Sequence, residues 1–472
     1  MTALGWVLAA LVVLAVLVTL PYWLPGAVVA LRVRVFAWVN GDEGIPVPGP
    51  LVDTAAFRRV YGHPAADGRS RGAALSDLFW YWLAPGPEVH QEHLEPGPRY
   101  DEVARCTRLI LTGLDRRGWE DLVSRRAAAV LGALPRTGSR TGSRAGTRAV
   151  RLRDLMMPLW AEVYYELVFA EACPPGVRDL IVANADDVVS ALKFTRLRHM
   201  DRRDDLTRYL ERRIVSGSVP SPLPASFTAR EQAYYLQGTF FNTAVVQMSE
   251  AMAHLLLAVA ARPEVHRRLR TEPDDEAYLG RVIDEALRVY PLFGVAHRIT
   301  SDEIAVEGAA VIPVGSVLLF NYSEYQHAGL ADGDRFDPDR WLRVTAREIN
   351  HIPFGISTNR ACPARGIAPA TMRVAAREVL DRFDLASTAA HTRSLPNRGP
   401  CLLTPRQPTD GAPVPGPVPL GLRLSLLRVR DRWEGLGRSV VQLVLGSYMV
   451  WDARRQRLCQ RYFAAQPQGA DS

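Results

Sequence analysis

The residues best suited to chemistry gather in the second half of the chain. Cys362 closes the segment Pro353-Phe354-Gly355-Ile356-Ser357-Thr358-Asn359-Arg360-Ala361-Cys362-Pro363-Ala364, a loop of small and turn-forming residues. A helical pattern follows, with Met372, Val374, Ala375 and Val379 on its apolar positions. A thiolate at a helix N-terminus meets free backbone N–H groups and the positive end of the helix dipole, which suits a metal ligand. A buried structural cysteine accounts for this segment, taken alone, equally well. Upstream, Glu285 and Arg288 stand three apart on a helical segment, so they share a face and can pair. Phe336-Asp337-Pro338-Asp339-Arg340-Trp341 reads as a turn whose Arg340 could join that pair. His90 and His93 have the spacing of half a metal site, but no third ligand is spaced to complete it, and both are expected to face solvent.

The elements that must position these residues are mostly helices. Apolar residues recur at helical spacing over residues 103–114, 122–134, 155–169 and 177–192. A longer run, 234–270, continues nearly without a breaker until Arg262-Pro263, and a shorter helix is expected over 279–290. Strand-like pieces follow at 303–306 and 311–320, with Pro313-Val314-Gly315 as a turn. The pattern is mainly α with small β-sheets, an α+β class, and it favours one large domain.

The 472 residues include 57 basic and 50 acidic side chains, a net charge of +7. The isoelectric point near 9.3 invites a nucleic-acid partner. The distribution argues against one. Residues 421–462 carry nine Arg and three acids, and residues 136–148 carry four Arg and no acid, so removing these two segments from the +7 total leaves −3. Five cysteines without a CxxC pair encode neither an iron–sulfur module nor a disulfide framework.

The N-terminus bears no charged side chain before Arg32, and residues 4–24 are apolar over a length that crosses a bilayer. Arg32 and Arg34 place the following chain in the cytoplasm and the N-terminus outside. Residues 1–31 are therefore expected as a membrane anchor, and 32–50, with its Pro46–Pro50 run, as a basic stop and Pro-rich hinge. Residues 51–404 form the main domain, with a flexible Arg/Gly/Ser loop at 136–148. A Pro-rich linker (405–420) leads to a basic extension (421–472), where leucines and valines alternate with arginines as in amphipathic helices. That extension either lies on an anionic membrane surface or packs on the body with a solvated Arg face.

In this order and spacing the Glu-x-x-Arg pair, the Arg340 turn and the Phe-Gly…Arg-x-Cys loop resemble the cytochrome P450 superfamily, most densely over residues 255–400. The resemblance implies a P450-like fold and a haem b cofactor whose iron takes Cys362 as axial thiolate. It implies that Glu285, Arg288 and Arg340 support the haem loop, that Arg298 and Arg360 bind haem propionates, and that Phe354 packs beside the cysteine. Arg99, Arg105 or Arg108 could add a propionate contact. The anchor and proline run resemble membrane-bound members, and residues 395–400 fit the family's C-terminal β region.

Two departures stand out. The Phe usually found seven residues before the cysteine is Phe354, eight before, and the flanking glycines are replaced by Thr358 and Ala364. On the long helix, counting back from Arg262-Pro263 puts the family's acid–alcohol pair at Val246-Gln247. Val246 cannot relay a proton and Gln247 has no useful pKa. Thr243 and Asn242, one turn earlier, could place a hydroxyl or a water over the iron, or the three polar residues simply line the pocket, and Phe240, Phe241 and Phe293 are lining or core. The expected function is monooxygenation of a small lipophilic molecule, with O2 and electrons from a separate ferredoxin or flavoprotein reductase, at a membrane and without nucleic acid. The alternatives are a haem-thiolate isomerase or dehydratase, a peroxide-using enzyme, or a non-catalytic haem-binding partner of another oxidase.

Overall fold

A computed structural model describes residues 3–40, 44–134, 146–292, 294–306, 311–328, 330–389, 399–406 and 419–466. Most of the 136–148 loop, Phe293, most of 395–400 and most of the 405–420 linker lie outside the described residues. The rest is helical, with two small sheets.

The N-terminal helix α1 (Ala3–Asn40) runs past Arg32 rather than stopping there. The proline run expected as a hinge instead enters a sheet: β1 (Gly44–Val47) pairs in parallel with β4 (Val317–Asn321). Strand β3 (Val295–Ile299) lies antiparallel on the other side of β4, giving the order β1-β4-β3. Successive side chains of β3 face opposite sides of the sheet, and His297, Arg298 and Ile299 are all buried because both faces are covered at this end. Short helix α2 (Phe57–Tyr61) packs its aromatic face on this sheet, where Phe57 stacks on Tyr325 with ring centroids 3.8 Å apart.

Helix α3 (Ala74–Leu83) precedes the segment carrying His90 and His93, and α4 (Pro98–Leu111) and α5 (Arg116–Gly132) follow. Strand β2 (Arg148–Arg151) leads into α6 (Leu152–Phe169), the most deeply buried helix, with Trp160 and Tyr165 in its core face. Helix α7 (Pro175–Leu192) packs on it, and α8 (Met200–Val215) packs on α7.

The run expected at 234–270 is two helices. A capping box, in which Thr228 and Glu231 satisfy each other's backbone N–H groups, opens α9 (Ala229–Leu236). The helix continues as a π-helical stretch (Gln237–Ala244) and then as α10 (Val245–Ala260). Pro263 occupies the first turn of a separate helix, α11 (Pro263–Thr271), where its missing N–H costs nothing. Helix α10 lays Met248, Met252, Leu255, Leu256 and Val259 against α6, and this seam is the centre of the main core.

Helix α12 (Glu276–Val289) carries the Glu285/Arg288 pair. After β3 and β4 come α13 (Tyr322–His327) and the irregular stretch holding Arg340 and the Cys362 loop. Of the expected strands at 303–306 and 311–320, the described residues form an Ile304–Ile312 bridge and β4. Helix α14 (Ala368–Arg382) packs on α5. Strand β5 (Phe383–Ala386) joins β6 (Pro400–Pro405) and β2 in an antiparallel sheet ordered β2-β6-β5. The basic extension is not a loose tail. It forms α15 (Leu420–Gln456) and α16 (Leu458–Ala465), with α15 packed on α1 and α3, and Tyr81 donating to Asp452 over 2.9 Å.

Candidate active site

The Glu285 carboxylate is buried and fully engaged. Arg288 donates to both of its oxygens (Nη2 to Oε1, 2.7 Å; Nε to Oε2, 2.9 Å), as helical spacing of three allows. Asp337 N–H and the Trp341 indole N–H donate to the same carboxylate at 2.9 and 3.1 Å. Arg288 also donates to the Gly333 and Arg335 carbonyls at 2.7 and 2.9 Å. Arg340 stands 3.6 Å from Glu285 and pairs with Asp332 at 2.7 Å. This network pins the irregular chain from residue 332 to 341 onto α12, immediately ahead of the cysteine loop.

The loop absorbs its extra residue through two left-handed positions. Gly355 has φ +73°, and a side chain there would run into the Tyr61 hydroxyl at 2.7 Å. Arg360 has φ +49°. Between them the chain closes back on itself, and Cys362 N–H donates to the Phe354 carbonyl over 3.0 Å. Phe354 packs against the main core. Cys362 does not sit on the first turn of a helix: α14 begins only at Ala368. Burial pushes the Cys362 thiol up to about 11, and the Ala364 N–H only partly opposes this. A thiolate here therefore needs a cation on the sulfur to hold it ionised.

Beside the loop lies a buried cluster of cationic groups. Arg298, on β3, donates to the Ala66 carbonyl at 3.0 Å and to the Asn359 side chain at 2.7 Å. Arg360 donates to the Leu94 carbonyl at 2.9 Å and lies over the Tyr100 ring at 4.1 Å. Arg69 donates to the His297 carbonyl at 2.7 Å and pairs with Glu92 at 3.1 Å. Arg69 Nε, Arg298 Nε, Arg360 Nη2 and His93 Nδ1 are all buried without a hydrogen-bond partner. Leaving such groups bare costs about 1–3 kcal/mol each, so this cluster beside the loop favours an acceptor that the described residues do not supply. Burial, then the nearby Arg69, lowers Arg360 to about 10. Burial and then Arg69 also lower His297 to about 4. Glu92 offsets part of this positive charge, and what remains favours an anion.

On the long helix, Asn242 and Thr243 fall in the π-helical stretch and Gln247 one turn further on, in α10. Asn242 is buried, while Thr243 and Gln247 are half-buried. His90 and His93 are both buried, against expectation. Gly238 makes room for His90, since a side chain there would approach the imidazole to 2.7 Å. His90 Nε2 lies 2.9 Å from Thr243 Oγ1, and His90 Nδ1 accepts from Glu92 N–H over 3.1 Å. Phe240 and Phe241 are core residues. Arg99 pairs with Glu231 and Arg105 with Glu102, so both are engaged away from the cluster.

The structure thus brings Cys362, Arg298, Arg360 and Phe354 to one region, seated on Glu285, Arg288 and Arg340. Sequence spacing missed Arg69, Tyr100 and Asn359 and read His93 as a surface residue; all but Asn359 reach the cluster from distant parts of the chain. Of these only Asn359 carried a local signal, its place inside the cysteine loop.

The cytochrome P450 family profile matches residues 225–410, which contain all of the loop and network residues above. Over that stretch the chain matches the cytochrome P450 superfamily. Among curated P450 relatives it is 28% identical over 141 residues to cyclooctat-9-en-7-ol 5-monooxygenase of Streptomyces melanosporofaciens, covering 26% of this chain and 30% of that protein. It is 31% identical over 170 residues to cytochrome P450 71D180 of Thymus vulgaris, covering 33% and 34%. The chain thus spans about a third of the length of these P450 relatives. Solved P450 structures share the fold more widely. A Thermus thermophilus cytochrome P450 superposes with TM-score 0.57 at 20% identity over 74% of this chain and 87% of its own. A zebrafish cytochrome P450 solved with abiraterone gives 0.58 at 16% identity over 76% and 92%.

The cofactor of a P450 is a haem whose iron is bound by a cysteine thiolate. The residues present fit that group. A haem carries two carboxylates, and three bare guanidinium nitrogens, on Arg69, Arg298 and Arg360, await acceptors here. Among the described residues, Arg298 and Arg360 donate only to uncharged oxygens, so both of their charges remain for those carboxylates.

Proposed function

We propose that this chain is a membrane-associated haem-thiolate monooxygenase of small lipophilic molecules, in which the Cys362 thiolate would hold the haem iron. The observation that carries the reading is the set of bare guanidinium nitrogens on Arg69, Arg298 and Arg360 beside the cysteine loop. Arg298 and Arg360 bind the propionates, aided by Arg69 and His93, and guanidinium forks match carboxylates well. Phe354 shields the sulfur, and the Glu285–Arg288–Arg340 network keeps the loop in register. When bound, the haem supplies the oxygen and electron chemistry of the family.

The chain's own contribution on the other side of the site centres on Thr243. His90 Nδ1 accepts a backbone N–H, so the neutral imidazole carries its proton on Nε2 and donates it to Thr243 Oγ1. Burial lowers the His90 pKa and keeps the ring neutral. With its oxygen already accepting, the Thr243 hydroxyl is free to direct its own proton into the site. Asn242 and Gln247 flank it along the helix. Electrons come from a separate ferredoxin or flavoprotein reductase, and α1 holds the domain at a membrane from the cytoplasmic side.

The deciding experiment is a reduced, CO-bound difference spectrum of the purified protein beside Cys362→Ser. A thiolate-type band in the wild type that is lost in the variant supports the assignment, and a protein that takes up no haem sinks it. Val246, at the place of the usual acid, favours a second reading in which the enzyme uses peroxide or rearranges its substrate. Turnover with peroxide alone, compared with O2 plus a reductase, separates the two.

A further inference from the structure

Helix α15 presents two faces of opposite character. Leu436, Ser439, Gln442, Met449, Val450 and Ala453 are buried against the body and α1. On the far side Leu426, Val429, Trp433, Val440, Val444 and Trp451 are 59, 55, 45, 44, 62 and 57% exposed. Their separations of 3, 4, 7, 4 and 7 residues place them within an arc of roughly 60° on an α-helix, a stripe about 38 Å long. Arginines border the stripe on both edges, Arg423 and Arg430 along one and Arg432 and Arg454 along the other. An apolar stripe between rows of arginines suits the boundary between headgroups and acyl chains of an anionic leaflet.

The neighbour of α15 points the same way. Arg432 lies over the Tyr22 ring at 3.9 Å, and Arg32 donates to Gln442 over 2.9 Å. Tyr22 matches position 432 and Arg32 matches 442, so the two helices run side by side, parallel and in step. The apolar side chains of α1 from Leu4 to Val18 are exposed, and Leu4–Arg32 is long and apolar enough to cross a bilayer. With α15 attached, however, an upright α1 would carry Arg423, Arg428 and Arg430 into the hydrocarbon, at about 2.5–3.5 kcal/mol or more each near its centre.

We propose that α15 is an interfacial helix that beds its exposed stripe in an anionic membrane surface, and that α1 lies along the leaflet beside it instead of crossing. The two helices then hold the domain by a face, independently of whether haem is bound. The test uses the full chain in phosphatidylglycerol-rich vesicles containing lipids brominated near the headgroup. Emission from Trp433 and Trp451 is obtained by difference against Trp433→Phe and Trp451→Phe, conservative changes at exposed positions. We expect that emission to be quenched at least twofold by brominated lipid and protected from aqueous acrylamide. Leu426→Glu combined with Val440→Glu and Val444→Glu should abolish the lipid quenching. An N-terminal epitope should lie on the same side of sealed vesicles as the C-terminus. Quenching of the two tryptophans by acrylamide alone, protection from both quenchers (a protein partner on the stripe), or an N-terminus on the opposite side would each overturn the proposal. The CO spectrum of the Phe variants should not change, which separates this result from the haem reading.

Discussion

Two groups of buried arginines stand on either side of the cysteine loop, and they are built on opposite plans. Around Glu285 the circuit is closed at its centre: Arg288 meets a carboxylate and two carbonyls, and Arg340 Nε, though short of a hydrogen bond, stands 3.6 Å from the same carboxylate. Around Arg298 and Arg360 it is open, with guanidinium nitrogens buried but bare. Burial and charge are alike in the two groups. What differs is how far the protein itself supplies the anion: in the open group Glu92 pairs with Arg69, while Arg298 and Arg360 donate only to uncharged oxygens. A closed group serves the fold, and an open one keeps a place for a ligand.

The largest effect should come from breaking the closed group. Arg288→Met leaves the Glu285 carboxylate buried without its main partner, at about 3–5 kcal/mol. Urea unfolding should show that loss equally with and without haem. A loss confined to the haem-loaded protein would mean that the pair belongs to the ligand site.

Acid should separate the two groups next. His297, in the open group, sits at about 4 against an ordinary 6.5, chiefly through burial and then Arg69. The folded state therefore binds fewer protons than the unfolded one between those values. Stability is full above pH 6.5 and falls toward pH 4, by up to about 3 kcal/mol from this residue. His351, facing the closed group, is lowered to about 3 by burial and Arg288, and it contributes in the same direction. Propionates would attract protons to His297 but not to His351. Unfolding midpoints at pH 7 and pH 5 should thus differ less in haem-loaded protein. An identical acid loss in both forms would place the propionates elsewhere.

The contrast also explains what could be read from sequence. Glu285, Arg288 and the Cys362 loop are local patterns, because helical spacing and loop order create them directly. The open group is assembled by tertiary contact: Arg69 reaches His297 across 228 residues. His90 and His93 look like surface residues because nothing nearby predicts that Gly238 will pack on His90 and that the Phe79 ring will lie 5.9 Å from His93. The long apolar run announced a helix, but its π-helical stretch has no signature in spacing, since the same apolar residues serve an α-helix equally well. The proline run at 44–50 reads as a spacer because a parallel strand pair depends on a partner about 270 residues away.

Opening the open group further should cost the fold little and the ligand much. Arg360→Gln removes a like charge that burial and Arg69 already press down to about 10. Position 360 keeps its left-handed backbone with either side chain, so haem-free stability should change by less than about 1 kcal/mol. Hemin affinity, by contrast, should fall roughly 10–100-fold, the worth of one charged hydrogen bond. Hemin titration beside urea unfolding reads both quantities. A variant that unfolds easily yet binds hemin normally would assign Arg360 to the closed class.

The smallest effect concerns a pair that belongs to neither class. His90 and Thr243 satisfy each other, but the hydroxyl proton of Thr243 is left over. Thr243→Ala should cost about 1 kcal/mol, because the half-buried site lets water replace the hydroxyl. Thr243→Ser should restore most of this. In a double-mutant cycle with His90→Phe, the coupling energy should be about 1 kcal/mol if the imidazole donates to the hydroxyl. The functional consequence should be larger than the structural one. Thr243→Ala loses the directed proton and should uncouple reductant consumption from product, whereas His90→Phe keeps the hydroxyl and releases only its orientation. If both variants uncouple to the same degree, orientation by His90 is the whole contribution of the pair; if neither does, the proton comes from elsewhere on the helix, and Gln247 is the next residue to replace.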